Sequence, residues 1–285
     1  FMKKLISVNE LFELLNSEKK YVILDCRFDL MNKTYGIDSY KKSHIKGAFL
    51  VDIENDLAEK PGIHGGRHPF TKTERFVEII KSFGIDNDTV VITYDDGDLQ
   101  GAGRLVYQLN SIGFDNARVL DGGITAYIHN GGEVESKENI PTKSEQDLNV
   151  NLKNDMIVDM DYVKSKLYDE NTILIDSRSN PRYLGLEEPV DKVAGHIPSA
   201  KNFFFMDILN IDDMRNSSFK SDEFLKEHFS SLFNDKEKIV YCGSGISLMV
   251  NALALDKLGI DYKIYPGSFS DWISYDENEV MTGEE

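Results

Sequence analysis

Lys238-Ile239-Val240-Tyr241-Cys242-Gly243-Ser244-Gly245-Ile246-Ser247 carries a β-branched and aromatic run straight into a cysteine, two glycines and a helical pattern. Lys238 to Tyr241 read as a buried strand, and Ser247 to Leu258 place apolar residues at helical spacing. The cysteine therefore sits at a strand-to-helix turn, the repeating joint of α/β folds. Gly243 and Gly245 permit backbone angles that turn several amide N–H groups inward on the sulfur, with the positive end of the helix dipole behind them. Such a ring favours a thiolate. A free thiol ionises near pH ~8.5 and is only a few per cent charged at neutrality, so this environment is what would make Cys242 a nucleophile. The bland alternative, a small buried hydrophobe at a tight turn, is less suited to glycines flanking a serine just before a helix. A cysteine phosphatase would place an arginine at position 248 to grip phosphate; the residue is Leu248, which argues against phosphate ester hydrolysis.

Working outward, the same order of elements occurs twice. Tyr21-Val-Ile-Leu-Asp25-Cys26-Arg27 matches Thr172-Ile-Leu-Ile-Asp176-Ser177-Arg178, and His44-Ile45 matches His196-Ile197. Val90 to Asp95 matches Lys238 to Cys242, and Asp121-Gly122-Gly123 leads a segment that matches Pro266-Gly267-Ser268. A duplicated domain of roughly 130 residues follows, with domains at 1–135 and 156–285 and a polar linker at 136–155. Short Val/Ile-rich strands alternate with amphipathic stretches such as Thr73 to Phe83, Ala102 to Ile112 and Asp222 to Phe229. That alternation predicts an α/β fold with a mostly parallel central sheet flanked by helices, and ligands beyond the carboxyl ends of the strands. Asp95 stands where the second copy has Cys242. A carboxylate cannot replace a thiolate nucleophile, so the first copy reads as catalytically silent.

The 285 residues suffice for two domains, and a hydrophobic content of 41% indicates a globular chain. Apolar runs long enough to span a membrane are missing, and the start Phe1-Met2-Lys3-Lys4 lacks the apolar segment of a signal peptide. Two cysteines offer neither a disulfide framework nor a paired-cysteine zinc site, which suits a reducing cytoplasm. A net charge of −17 argues against nucleic acid or an anionic membrane as partner. A small anionic substrate would need a local basic pocket. The pair His64-x-x-x-His68 has helical metal spacing, yet Pro61-Gly-Ile-His64-Gly-Gly-Arg67-His68-Pro69 cannot hold a regular helix; it reads as a loop that folds over the site, with Arg67 as an anion contact.

In this order, twice, the two Asp-x-Arg motifs, the two His-Ile motifs, Asp121-Gly122-Gly123, the Gly267 to Trp272 run and the six-residue loop Cys242 to Ser247 resemble the tandem rhodanese family of sulfurtransferases. The resemblance implies two tandem rhodanese-like domains and a Cys242 that takes a sulfane sulfur as a persulfide, with no cofactor and no metal. It implies a small anionic sulfur donor and, as acceptor, a thiol such as thioredoxin or a small thiol, or cyanide. Small neutral loops of this kind resemble the family's 3-mercaptopyruvate users, while basic loops resemble its thiosulfate users. Gly243, Ser244, Gly245, Ile246 and Ser247 would then form the cradle. Arg182 matches the first of two arginines that bind the substrate in that branch; where the second is expected the chain reads Val190-Asp191-Lys192, and Lys192 supplies a charge without a guanidinium's fork. Ser244 matches the serine of a Ser-His-acid relay, for which Glu54 and Gly66 stand near the acid and histidine positions. The alternatives are a thiosulfate:cyanide sulfurtransferase and a non-catalytic persulfide relay protein.

Repeat symmetry assigns several residues to the scaffold. Arg178, His44 and His196 have counterparts in both copies, including the one without the cysteine, so a salt bridge or a fold-keeping hydrogen bond is their expected role. Arg182 has no counterpart, which favours a substrate contact. Cys26 reads as a core thiol and Trp272 as core packing.

Overall fold

The computed structural model describes residues 3–285; the first two residues of the Phe1-Met2-Lys3-Lys4 start lie outside the described residues. Among those described, no helix is long and apolar enough to cross a membrane. The chain forms two compact units. The first comprises the chain through Ala58, Thr71–Lys153 and Asn210–Phe219, and the second comprises Glu59–Phe70, Asn154–Leu209 and Lys220–Glu285. Division at a linker over 136–155 follows chain order, whereas in the structure 59–70 and 210–219 each group with the other repeat. Hydrogen bonds explain both. Gly65 and Arg67 donate their amides to Asp271 and Ser270 within the second unit, and Ser218 bonds Asp121 and Gly122 within the first. Linker residues Ser144, Asn151 and Lys153 donate to the carbonyls of Lys81, Ile112 and Ser111, so this stretch runs along the first unit.

In the first unit the strands are β1 (Leu5–Ile6), β2 (Tyr21–Asp25), β3 (His44–Ile45), β4 (Phe49–Leu50), β5 (Val90–Tyr94), β6 (Ala117–Leu120) and β7 (Val134–Glu135). Its helices are α1 (Val8–Leu15), α2 (Tyr35–Lys42), α3 (Ile53–Asp56), α4 (Thr73–Ser82), α5 (Gln100–Ser111) and α6 (Gly123–His129). The sheet order is β1-β6-β5-β2-β4, parallel throughout, and β3 pairs antiparallel with β7. Local sequence sets the elements: Ser7 and Glu10 form a reciprocal capping box on α1. Ile23, Ile92 and Leu120 fill one face of the sheet against Leu11 and Tyr127. The predicted amphipathic stretch from Ala102 became α5, buried from Gly101 to Asn110, as a helix enclosed by its surroundings must be.

The second unit holds α7 (Met160–Ser165), β8 (Thr172–Asp176), α8 (Asn180–Leu184), β9 (Lys201–Asn202), α9 (Asp222–His228), β10 (Glu237–Tyr241), α10 (Leu248–Lys257), β11 (Lys263–Ile264) and α11 (Ser268–Trp272). Its sheet order is β11-β10-β8-β9, again parallel. Isolated bridges Ile157 to Ile264 and His196 to Met281 stand where the first unit has β1 and the β3–β7 pair. Leu174, Ile239, Tyr241, Phe269 and Trp272 make its core.

Candidate active site

Parallel register places Tyr241, the last residue of β10, beside Asp176, the last of β8. The Tyr241 hydroxyl donates to Asp176 Oδ2 at 2.8 Å and accepts the Ile197 N–H at 3.2 Å. Arg178 forks the same carboxylate, Nε to Oδ1 at 3.1 Å and Nη2 to Oδ2 at 2.7 Å, and its Nη2 also reaches the Gly195 carbonyl. Burial opposes its charge, but Asp176 overcomes this and holds the guanidinium pKa above its ordinary value. The first unit repeats the arrangement with Asp25, Arg27 and Tyr94, the tyrosine hydroxyl 2.6 Å from Asp25 Oδ2. His44 and His196 likewise make equivalent contacts, each bonding through Nδ1 to a tyrosine carbonyl and stacking on that tyrosine's ring. These residues fix the strand ends.

Cys242 emerges from that clamped end. Phe269 and Ser270, in the first turn of α11, donate to the carbonyls of Cys242 and Gly243 at 2.9 and 3.0 Å, and Ser268 Oγ accepts the Cys242 N–H at 3.1 Å. These bonds fix the first two peptide groups of the loop, and the chain then turns its next amides back on the sulfur. Gly245 donates to Sγ at 3.2 Å. Sγ is buried, and burial alone pushes the thiol pKa up; the Ser247 hydroxyl and the amides of Leu248, Ser244 and Gly245 outweigh it and hold the pKa below its ordinary value. Ser247 precedes α10 without capping it. Ser268 Oγ, besides accepting the Cys242 amide, lies 3.8 Å from the sulfur.

The two glycines do different work. Gly245 adopts φ +86°, the left-handed conformation that glycine allows, whereas Gly243 is not among the positive-φ residues. Gly243 instead lies under side-chain tips: a Cβ there would stand 3.0 Å from Arg67 Nη2 and 3.4 Å from Arg182 Nη2. The expectation that both glycines serve backbone conformation is corrected accordingly. Ser244 and Ile246 are buried in the same loop.

Two guanidiniums from distant parts of the chain thus converge beside the residue that follows the cysteine. Arg182 lies on α8, which begins with Pro181 in its first turn and stops at Gly185 in the left-handed conformation. Arg67 comes from the 59–70 segment. Gly66 there has φ +81° and passes so close to α11 that a Cβ would stand 2.5 Å from the Gly267 carbonyl oxygen. His64 bonds Ser274 and stacks on Tyr275. Arg182 pairs with Glu188 through Nε and Nη2, both at 3.1 Å, and with Asp191 at 3.2 Å; Arg67 pairs with the other oxygen of Asp191. Lys192 is exposed. Glu54 belongs to the first unit.

Of the residues singled out from the sequence, the structure brings Cys242, its loop, Arg182 and Arg67 together and leaves Lys192 exposed; Glu188, Asp191 and Ser268, which contact the same groups, were not singled out. The available signal was the pair of acids six and nine residues after Arg182. In the first unit Asp95 fills its own amide ring, accepting from Gly97, Leu99 and Ala102. Burial and the neighbouring Asp98 raise its pKa well above the carboxylate range. Cys26 is fully buried, and burial with Asp25 and Asp95 nearby drives its thiol pKa up.

A thiolate held by amides at the carboxyl end of a parallel sheet, with two arginines beside it, is the equipment of a protein that carries a group on sulfur while gripping an anion. The sequence matches the rhodanese-like domain twice, over residues 7–130 and 159–275. It is 33% identical over 275 residues to the "Probable 3-mercaptopyruvate sulfurtransferase" of Pseudomonas aeruginosa, covering 94% of each chain. The thiosulfate sulfurtransferase of Bos taurus is 31% identical over 242 residues, 82% of this chain and 78% of that one. Among solved structures, the 3-mercaptopyruvate sulfurtransferase from Leishmania major superposes with a TM-score of 0.81 at 26% identity, over 94% of this chain and 73% of its own. The chain belongs to the rhodanese family, as a tandem pair of rhodanese-like domains. At the level of that family the activity is sulfur transfer.

Proposed function

We propose that the chain transfers sulfur from 3-mercaptopyruvate to a thiol acceptor through a Cys242 persulfide, in a reducing cytoplasm. One observation carries the choice of donor: the loop from Gly243 to Leu248 is uncharged, and the guanidiniums able to take a carboxylate, Arg67 and Arg182, stand to one side next to Gly243, paired at rest with Asp191 and Glu188. A keto acid has its single charge at one end and its sulfur at the other, and fits that separation. Thiosulfate has both charges next to the sulfur that moves and would find no countercharge in the loop.

Cys242 thiolate attacks the sulfur of the donor, and the donor's C–S bond breaks with its electron pair staying on carbon. The resulting enolate of pyruvate takes a proton, and Cys242 retains the sulfur as a persulfide. The amides that hold the thiolate are positioned to hold the persulfide anion also. An acceptor thiolate then attacks the outer sulfur, forms its own persulfide and returns Cys242 as thiolate. Ser247 and the loop amides hold the nucleophile, so the mechanism needs no separate base to deprotonate it. Arg182 and Arg67 orient the donor.

The test is kcat/KM for 3-mercaptopyruvate and for thiosulfate with a small thiol as acceptor and Cys242→Ser as blank. A preference for mercaptopyruvate beyond roughly tenfold, about 1.4 kcal/mol in the transition state, is expected. A preference for thiosulfate overturns the donor assignment. Loading of a single sulfur followed by a stall would instead indicate a relay protein.

A further inference from the structure

We infer that Asp191 occupies the seat of the donor's carboxylate and sets the selectivity of the site for singly charged donors; the inference rests on the reading of the donor as a carboxylate. Its two oxygens are divided between two guanidiniums, Oδ1 on Arg67 Nη1 and Oδ2 on Arg182 Nη2 at 3.2 Å. The same two guanidiniums stand over Gly243, the residue after the nucleophile. A small carboxylate bridging them would have the same charge and the same span as the Asp191 side chain.

Glu188 is held differently. It accepts the amides of Val190 and Asp191, both at 2.9 Å, together with Arg182 and Arg178 Nη1. That carboxylate is built into the turn. The described side-chain contacts of Asp191 are the two arginines alone, so exchanging it for another carboxylate leaves the turn intact. Arg67 Nε is buried with no hydrogen-bond partner, so Asp191 does not saturate that guanidinium.

Charge gives the exchange its consequence. Arg67, Arg178 and Arg182 face Asp176, Glu188 and Asp191, so the cluster is neutral before a donor arrives. A monoanion that displaces the Asp191 carboxylate restores that balance. A dianion leaves one negative charge uncompensated beside a thiolate. The stretch Val190-Asp191-Lys192, where the family resemblance predicts a second arginine, carries none, and Arg67 supplies a guanidinium from elsewhere in the chain.

The test uses alkylation, which needs no sulfur donor. Cys242 thiolate displaces bromide from 3-bromopyruvate, forming a C–S bond, and does the same with uncharged bromoacetone, which has the same reactive carbon. The ratio of the two rate constants reads the anion seat and cancels changes in the thiolate itself. For Asp191→Asn, freeing both guanidiniums should raise the ratio by about tenfold or more, with KM for 3-mercaptopyruvate falling. A ratio unchanged within about twofold, or lower than wild type, overturns the inference; a fall is what a purely structural Asp191 would give, because the arginines would splay. Asp191→Ser carries the same two outcomes should the asparagine variant not fold. A wild-type enzyme that prefers thiosulfate would refute the donor assignment while leaving a raised ratio intact, so the two failures are distinguishable.

Discussion

Gly66→Ala should weaken donor binding while sparing the nucleophile. At φ +81° an alanine pays about 1–2 kcal/mol for the left-handed conformation. Its Cβ would also stand 2.5 Å from the Gly267 carbonyl oxygen and 2.8 Å from Ser270 Oγ, inside any normal contact. Overpacking against a backbone atom adds about 1–3 kcal/mol. The Gly267 carbonyl is backbone that accepts the Asp271 amide at the start of α11, and the Phe269 and Ser270 amides of that helix are bonded to Cys242 and Gly243, so it cannot give as the tip of a side chain would. The 59–70 segment must therefore lift, losing the Gly65 and Arg67 amide bonds to Asp271 and Ser270 and withdrawing Arg67 from Gly243. What the donor loses is one charge-assisted contact, about 1.5–3 kcal/mol, which raises KM for 3-mercaptopyruvate by roughly ten- to hundredfold. The amides and hydroxyl that hold the sulfur come from residues 244–248 and are untouched, so kcat should stay within about threefold and the rate of Cys242 alkylation by neutral iodoacetamide within about twofold. Steady-state kinetics beside that alkylation rate separate the effects. An unchanged KM in a folded variant, or a fall in kcat at constant KM, would refute the reasoning.

Cys242→Ser should abolish turnover with circular dichroism unchanged, and residual turnover above the blank would refute the persulfide mechanism. Because the folded chain holds the Cys242 pKa below its ordinary value, the thiolate's stabilisation is fully present above the unfolded value, about 8.5, and is lost as pH falls through the folded one. Wild type should accordingly gain unfolding free energy over Cys242→Ser as pH rises across that window, and a flat difference would count against the cradle. Iodoacetamide at neutral pH should label Cys242 and leave Cys26, whose thiol is buried and pushed up, unmodified by peptide mapping. Tyr241→Phe strands the buried Ile197 N–H and removes a donor from Asp176, and should cost about 1–3 kcal/mol in urea unfolding.

The repeat made the fold legible, because a buried parallel strand ending in Asp-x-Arg is a local signal and occurred twice. Cys242 was legible for the same reason: strand, cysteine, glycines and helix are contiguous. Arg178 could be assigned to the scaffold because Arg27 does the same work in a unit without the cysteine. Asp191 was not legible. Its role depends on Arg67, 124 residues earlier, and on the course of the 59–70 segment over α11, for which no local periodicity exists. Reading by charge pointed to Lys192, whereas the turn anchored by Glu188 presents Asp191 to the arginines and leaves Lys192 in solvent. Gly243 was read as serving backbone conformation, whereas it has no positive φ and lies against the tips of two guanidiniums brought there by segments distant in sequence.

The grouping of 59–70 with the second unit and 210–219 with the first bears on any attempt to dissect the protein. A cut anywhere in 136–155 would not yield two complete folding units. The carboxy-terminal fragment would keep Cys242 and the ring of donors around it, yet lack Arg67 and the stretch that packs on Asp271 and Ser270. The amino-terminal fragment would lack Ser218, leaving the Gly122 amide and the Asp121 carboxylate without that partner. Complementation of the two fragments, rather than the behaviour of either alone, is thus the proper test of how far the ancestral domains have become dependent on each other.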